Sequence, residues 1–156
     1  MSASPDLMQT AGCLCLASRR AARAITRAFD RELRAHGLRA TQFTLLATLS
    51  LRGELTIGEL AAFVDAERTT MTRNVALAQK RGLVTVRRHP QDARARIVTI
   101  ADGGRDALAG ALASWGRVQA ALTEAMGAEA ADGLRRLAGG RAAGRASSRP
   151  QPRAGA

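Results

Sequence analysis

The sequence predicts a mainly α-helical fold class: a winged helix-turn-helix with a small β-hairpin wing, flanked by N- and C-terminal helices. Three observations carry this. Ala, Leu and Arg dominate, aromatic residues make up only 3% and Tyr is absent, a balance that favours helices over sheets. Apolar residues recur at three- and four-residue steps over much of the chain. Between residues 83 and 100 the period changes, and two short β-branched runs flank a polar turn.

Taken in order, residues 1–7 are expected to fray. A long helix is expected over Met8–Ala35, where Leu14, Ala17, Ala21, Ala24, Ile25, Ala28 and Phe29 repeat at helical spacing. Arg19, Arg20, Arg23 and Arg27 take much of its remaining surface. Gly37 is the expected C-cap, preceded by His36 near the negative helix end. A second helix is expected over Ala40–Leu51, with Phe43, Leu46, Ala47 and Leu49 turned to the core, and Arg52-Gly53-Glu54 reads as a turn. Thr56-Ile57-Gly58-Glu59 matches a capping box and opens a short helix, Ile57–Phe63. Asp65–Glu67 turns the chain into a helix over Arg68–Lys80 that stops at Gly82. Leu83–Val86 and Ile97–Ile100 form a hairpin whose tip is His89-Pro90-Gln91-Asp92-Ala93-Arg94. Asp102-Gly103-Gly104 is expected to break the chain before a helix over Arg105–Met126, and residues 128–138 form a last helix. From Gly139 onward Gly, Ala, Ser, Pro, Gln and Arg follow no period, which predicts disorder. The organisation is thus 1–36 as an N-terminal helix, 37–101 as the winged domain, 102–138 as C-terminal helices and 139–156 as an Arg-rich tail.

A chain of 156 residues favours one domain with appendages. Its formal charge is +11, and without the tail arginines Arg141, Arg145, Arg149 and Arg153 the body still carries +7. Such an excess suits a polyanionic partner, or a basic surface kept for solubility. No apolar run is long enough to span a membrane, and Met1–Met8 lacks the basic-then-apolar order of a signal peptide. Two cysteines, Cys13 and Cys15, make no disulfide framework and fit a reducing, cytoplasmic setting. Placed two apart on a helix they point to different faces, so an internal bridge is not expected. Nothing supports an enzyme or a cofactor: there is no Gly-rich phosphate loop and no metal-ligand spacing, and His36 and His89 lie far apart.

The function-bearing stretch is Arg68-Thr69-Thr70-Met71-Thr72-Arg73-Asn74-Val75. Met71, Val75 and Ala78 share one face and pack on the short helix, leaving Thr69, Thr72 and Arg73 on other faces. Threonine hydroxyls bond phosphates or base edges, and arginine bonds guanine O6 and N7 together. A Thr-rich helix start is also an ordinary cap. Its coupling to a hairpin carrying Arg87, Arg88, Arg94 and Arg96 favours double-stranded DNA as partner over that reading, and over a winged-helix interaction protein that does not read DNA. At the tip, Arg94 suits a narrow minor groove. Asp92 either orients an arginine by charge and hydrogen bonding, as a wing salt bridge, or is a turn residue.

From about Cys13 to Met126 the chain resembles the MarR family of regulators. The matching pieces are Gly37-Leu38 with Gln42-Phe43-Thr44-Leu45-Leu46, Thr56 to Ala61, Arg68 to Arg73, Arg81-Gly82-Leu83-Val84, and Asp92-Ala93-Arg94-Ala95-Arg96. Their order and spacing, rather than any single piece, carry the resemblance. It implies a homodimer with intertwined terminal helices, a recognition helix in the major groove, Arg94 in the minor groove, and repression relieved by a small molecule or by oxidation. The chain departs from the family at the start of its second helix, where Arg39 and Ala40 replace a polar cap.

Two sensors are compatible with that resemblance. Cys15, with Cys13 beside it, lies where organic-peroxide-sensing members carry a reactive thiol, although this chain lacks the tyrosines that hold the sulfur there. Both cysteines also suit a dimer interface as small apolar residues. Ligand-responsive members instead bind aromatic or phenolic compounds between the terminal helices and the winged domain. Arg19, Phe29, His36, Phe43 and Trp115 are the candidates to line such a pocket, with core packing or a solvated helix face as their alternative fates.

Overall fold

The computed structural model describes residues 12–146, and the side chains of residues 12–139. The expected fraying at 1–7, the first residues of the long helix and the last ten residues of the tail lie outside the described residues. Helix α1 (Leu14–Leu33) runs into a 3-10 turn (Arg34–His36) and a corner at Gly37, followed by α2 (Ala40–Arg52). A two-residue strand β1 (Leu55–Thr56) leads into α3 (Ile57–Phe63) and α4 (Arg68–Lys80). The hairpin β2 (Val84–Arg88) and β3 (Arg96–Ile100) follows, then α5 (Asp102–Met126) and α6 (Ala128–Ala146).

The local chemistry explains most of these boundaries. Gly37 takes φ +68°, the left-handed conformation that glycine adopts without Cβ strain, and its N–H bonds the Arg34 carbonyl at 2.9 Å. Thr56 accepts from the Glu59 N–H at 3.2 Å, while Glu59 Oε2 accepts from the Thr56 N–H at 2.8 Å, closing the capping box expected there. The start of α2 is capped both from α1 and by its own third residue. Asp30 Oδ1, on α1, accepts the Ala40 N–H at 2.7 Å, and Gln42 Oε1 accepts the Arg39 N–H at 3.1 Å.

Three expectations need correction. Asp102-Gly103-Gly104 does not interrupt the chain but forms the first turn of α5. Gly104 is there because its Cα lies against the hairpin, where a side chain would not fit. The sheet has a third strand, order β1-β3-β2, with Leu55 opposite Val98 and Thr56 opposite Ile97. Two residues are too few for alternation to reveal. The last helix extends past residue 138 to Ala146, since Ala and Arg are strong helix formers even without a sided apolar pattern.

One core joins the winged unit to the end of α1 and to α5. Leu33, Leu45, Leu46, Leu49 and Leu60 are fully buried with Val75, Ala78, Val84 and Val98, and Leu108 and Ala111 of α5 join the same cluster. The winged unit and α5 are therefore packed as one body. By contrast, every described residue before Ile25 on α1 is exposed, including Leu14 at 84% and Leu16 at 50%.

Candidate nucleic-acid interface

The helix-turn-helix is built from α3, the turn at 64–67 and α4. Asp65 takes φ +52° in this turn, a left-handed conformation that Asp tolerates better than most residues. Met71, Val75 and Ala78 are buried, and this fixes the rotation of α4 about its axis. Arg68, Thr69, Thr70, Thr72 and Arg73 are consequently exposed, and Asn74 is half-buried. Thr72 Oγ1 donates to the Arg68 carbonyl at 2.8 Å, which leaves the hydroxyl oxygen facing outward as an acceptor.

The hairpin pairs Val84 with Ile100 through Arg88 with Arg96, so two arginines stand opposite each other at its outer end. Its tip is closed by the bonds His89 N–H to Ala95 O at 3.2 Å and Ala95 N–H to Asp92 O at 3.0 Å. The four arginines of the hairpin differ here in their partners. Arg87 is paired with Glu54, in the turn before β1, which sequence reading overlooked because 33 positions part the two. Arg96 Nη1 donates to the carbonyls of Ala93 and Ala95 at 2.9 and 3.1 Å and so braces the tip. Arg88 and Arg94 are exposed. Asp92 Oδ1 accepts the backbone N–H of Arg94 at 2.9 Å, and among the described residues no ion pair includes Asp92. It therefore orients Arg94 through the backbone, as a turn residue does, rather than through a salt bridge to the guanidinium.

The candidate pocket residues divide. Phe43 and Trp115 stack with ring centroids 5.9 Å apart and planes at 11°, and His36 Nε2 lies 2.9 Å from Ser114 Oγ, one residue before Trp115. Phe29 lines a separate cleft with Ile25, Leu122 and Met126, and Arg19 stands on the exposed half of α1. Cys13 is the N-cap residue of α1 rather than part of the helix, Cys15 lies in its first turn, and both are free and exposed. Among the described residues no cluster of His, Cys, Asp or Glu could hold a metal ion, and no helix is long and apolar enough to cross a membrane.

Helix-turn-helix, antiparallel wing and an outward row of Arg and Thr define a winged-helix DNA-binding protein. The sequence profile of the MarR family matches residues 36–95. The crystal structure of the Mycobacterium tuberculosis transcriptional regulator MosR in complex with DNA is similar at 40% identity, TM-score 0.74, over 85% of this chain and 98% of that one. A cysteine-to-serine mutant of Escherichia coli MarR, complexed with operator DNA, shares the fold at 21% identity, TM-score 0.74, covering 85% of this chain and 95% of that one. Streptomyces coelicolor PcaV with its natural ligand shares it at 21% identity, TM-score 0.73, covering 88% and 97%. No curated protein matches the chain in sequence. The chain belongs to the MarR family of DNA-binding transcription regulators.

Proposed function

We propose that the protein is a cytoplasmic repressor that binds a pseudo-palindromic operator as a homodimer, with α4 in the major groove and Arg94 in the minor groove. The observation that carries this is the partition of side chains on α4. Its apolar face is spent on the core, and Arg68, Thr69, Thr70, Thr72 and Arg73 are left outward beside a wing whose tip residue Arg94 is exposed. The pairing surface is the exposed half of α1 together with Leu134 and Leu137 of α6, apolar residues that one protomer leaves uncovered. Arg68, Arg73, Arg88 and Arg94 neutralise phosphates or reach bases, whereas Arg87 and Arg96 shape the wing.

Fluorescence anisotropy on the protein's own upstream DNA, titrated with salt, tests the reading. The logarithm of affinity should fall linearly with the logarithm of salt concentration at a slope of about −0.9 per phosphate contacted. Footprints should show two protected half-sites about one helical turn apart, or a multiple of that. A salt-independent affinity, or a monomer in light scattering at the concentrations used, would refute it.

Release by oxidation is favoured by the two free, exposed thiols at the start of α1, of which Cys15 lies about one turn from Arg19. Release by an aromatic or phenolic ligand is favoured by the Phe43–Trp115 stack beside the His36–Ser114 contact. Peroxide and phenolic acids, added separately to the operator complex, distinguish the two.

A further inference from the structure

A crevice of about 310 Å³ opens where the end of α1, the start of α2 and the residue after α4 converge, lined by Asp30, Arg34, Gly37, Arg39, Gln42 and Arg81. Three guanidinium groups share it with one carboxylate. Asp30 Oδ1 is engaged by the Ala40 N–H, and no ion pair joins Asp30 to these arginines among the described residues. The inner wall is Gln42, only 8% exposed, whose Oε1 accepts from the Arg39 N–H and from Arg81 Nη1 at 3.0 Å. Arg81 Nη2 donates to the Gly37 carbonyl at 2.5 Å. Arg81 thus directs two of its five N–H donors to neutral oxygens, and through them it ties the end of α4 to the corner between α1 and α2.

A charged oxygen is the stronger partner for such a group. Hydrogen bonds from arginine to carboxylate or phosphate are shorter and roughly twice as strong as those to neutral acceptors. Arg34 and Arg39 add charge from the rim, and the backbone N–H of Arg39, not its side chain, holds Gln42. We propose that this crevice is an effector site for a small oxyanion, a carboxylate- or phosphate-bearing metabolite, that takes Arg81 away from Gly37 and Gln42 and so releases the end of α4. The site is separate from the Phe43–Trp115 region and from the DNA-reading face. Thirteen residues of α4 at about 1.5 Å each place Arg81 roughly 20 Å from Arg68. An anion there therefore acts by loosening α4 and not by occupying the face that meets DNA.

Isothermal titration of the full chain without DNA, using citrate and inorganic phosphate at ionic strength matched with sodium chloride, tests the site. At least one probe should bind saturably, and the double variant Arg34→Gln/Arg39→Gln should weaken that binding about tenfold or more. Citrate alone binding assigns a carboxylate effector, and phosphate alone a phosphate one. At the same ionic strength the bound probe should weaken operator affinity about tenfold in the wild type and leave the double variant's affinity unchanged. No saturable binding of either probe, or equal binding by the variant, overturns the site. Binding without an effect on the operator overturns the release of α4. The regulatory half rests on the operator reading proposed above, and failure to bind operator without any anion would count against that reading and leave the titration result standing.

Discussion

Replacing Gly104 with alanine would put a Cβ 2.1 Å from the Leu83 carbonyl oxygen and 3.0 Å from both Ile100 Cγ1 and Leu46 Cδ2. The two apolar neighbours can give a few tenths of an ångström, but the carbonyl is backbone. Moving that Cβ from 2.1 Å to the 3.4 Å of ordinary contact requires α5 and the start of the hairpin to part by about 1.3 Å. That carbonyl also accepts the Ala101 N–H at 3.0 Å, the bond that joins the hairpin's end to the entry of α5. Overpacking a core site costs about 1–3 kcal/mol, and losing a backbone hydrogen bond adds about 1 kcal/mol. The helix preference of alanine over glycine returns up to about 1 kcal/mol. A net loss of about 1–3 kcal/mol lowers the melting temperature of a chain this size by roughly 2–12 °C. Gly116, in the same helix, is the internal control, because a Cβ there meets nothing within 4 Å. Gly116→Ala should raise the melting temperature by about 2–4 °C. Circular dichroism melts of the three proteins at one concentration measure both shifts. A Gly104→Ala protein melting no lower than wild type would refute the close approach.

Four further outcomes follow from the same geometry. Arg94→Ala should weaken operator binding about tenfold or more and lessen the salt slope by about one per wing, with the melting temperature unchanged; gel shifts at several salt concentrations measure this. Leu14→Glu/Leu16→Glu should convert the proposed dimer to monomer in light scattering while far-ultraviolet dichroism stays the same, since both side chains are exposed in the single chain. Thr56→Ala removes the N-cap of α3 and should cost about 1 kcal/mol in denaturant titration. Cys15→Ser should abolish peroxide-induced release from the operator, and wild-type protein that stays bound after oxidation would dismiss the thiol sensor.

What the sequence made legible was local. The bounds of α3 and α4 follow from a capping box, a Gly82 stop and the inward trio Met71, Val75 and Ala78, all signals within a few residues of what they specify. The hairpin showed itself by a change of period. What stayed hidden depends on residues far apart in the chain. The pairing of Arg87 with Glu54 joins residues 33 positions apart, beyond the reach of any local pattern. Arg39-Ala40 reads as an uncapped helix start until Asp30 arrives from the preceding helix. Asp102-Gly103-Gly104 reads as a breaker by propensity, yet tertiary contact overrides propensity, because the small residue lets α5 begin directly against Leu83. Charge pattern alone could not tell Arg94 from Arg96; the difference is that Arg96 folds back on Ala93 and Ala95.

The corner at His36-Gly37 joins the arm formed by α1 and α5 to the exit of α4. His36 is held by Ser114 of α5, and Ser114 Oγ also accepts from Arg117 Nη2 at 2.9 Å, whose guanidinium lies 3.9 Å from Glu32 of α1. Gly37, the next residue, is held by Arg81 at the exit of α4. Adjacent residues of one turn are thus fastened to the arm on one side and to the exit of α4 on the other. The αL conformation of Gly37 gives this turn its shape, and a Cβ there would meet Arg81 Nη2 at 3.1 Å. A shift of α5 relative to α1 must strain the His36 contact, and the strain has a path of one peptide bond to the Arg81 clasp. Coupling carried this way requires no deformation of the leucine core, which close packing makes stiff. Under the operator reading proposed above, the clasp is where arm position and helix position would be exchanged. Arg81→Ala should then uncouple them, so that any effector of the arm loses its influence on operator affinity while its own binding persists.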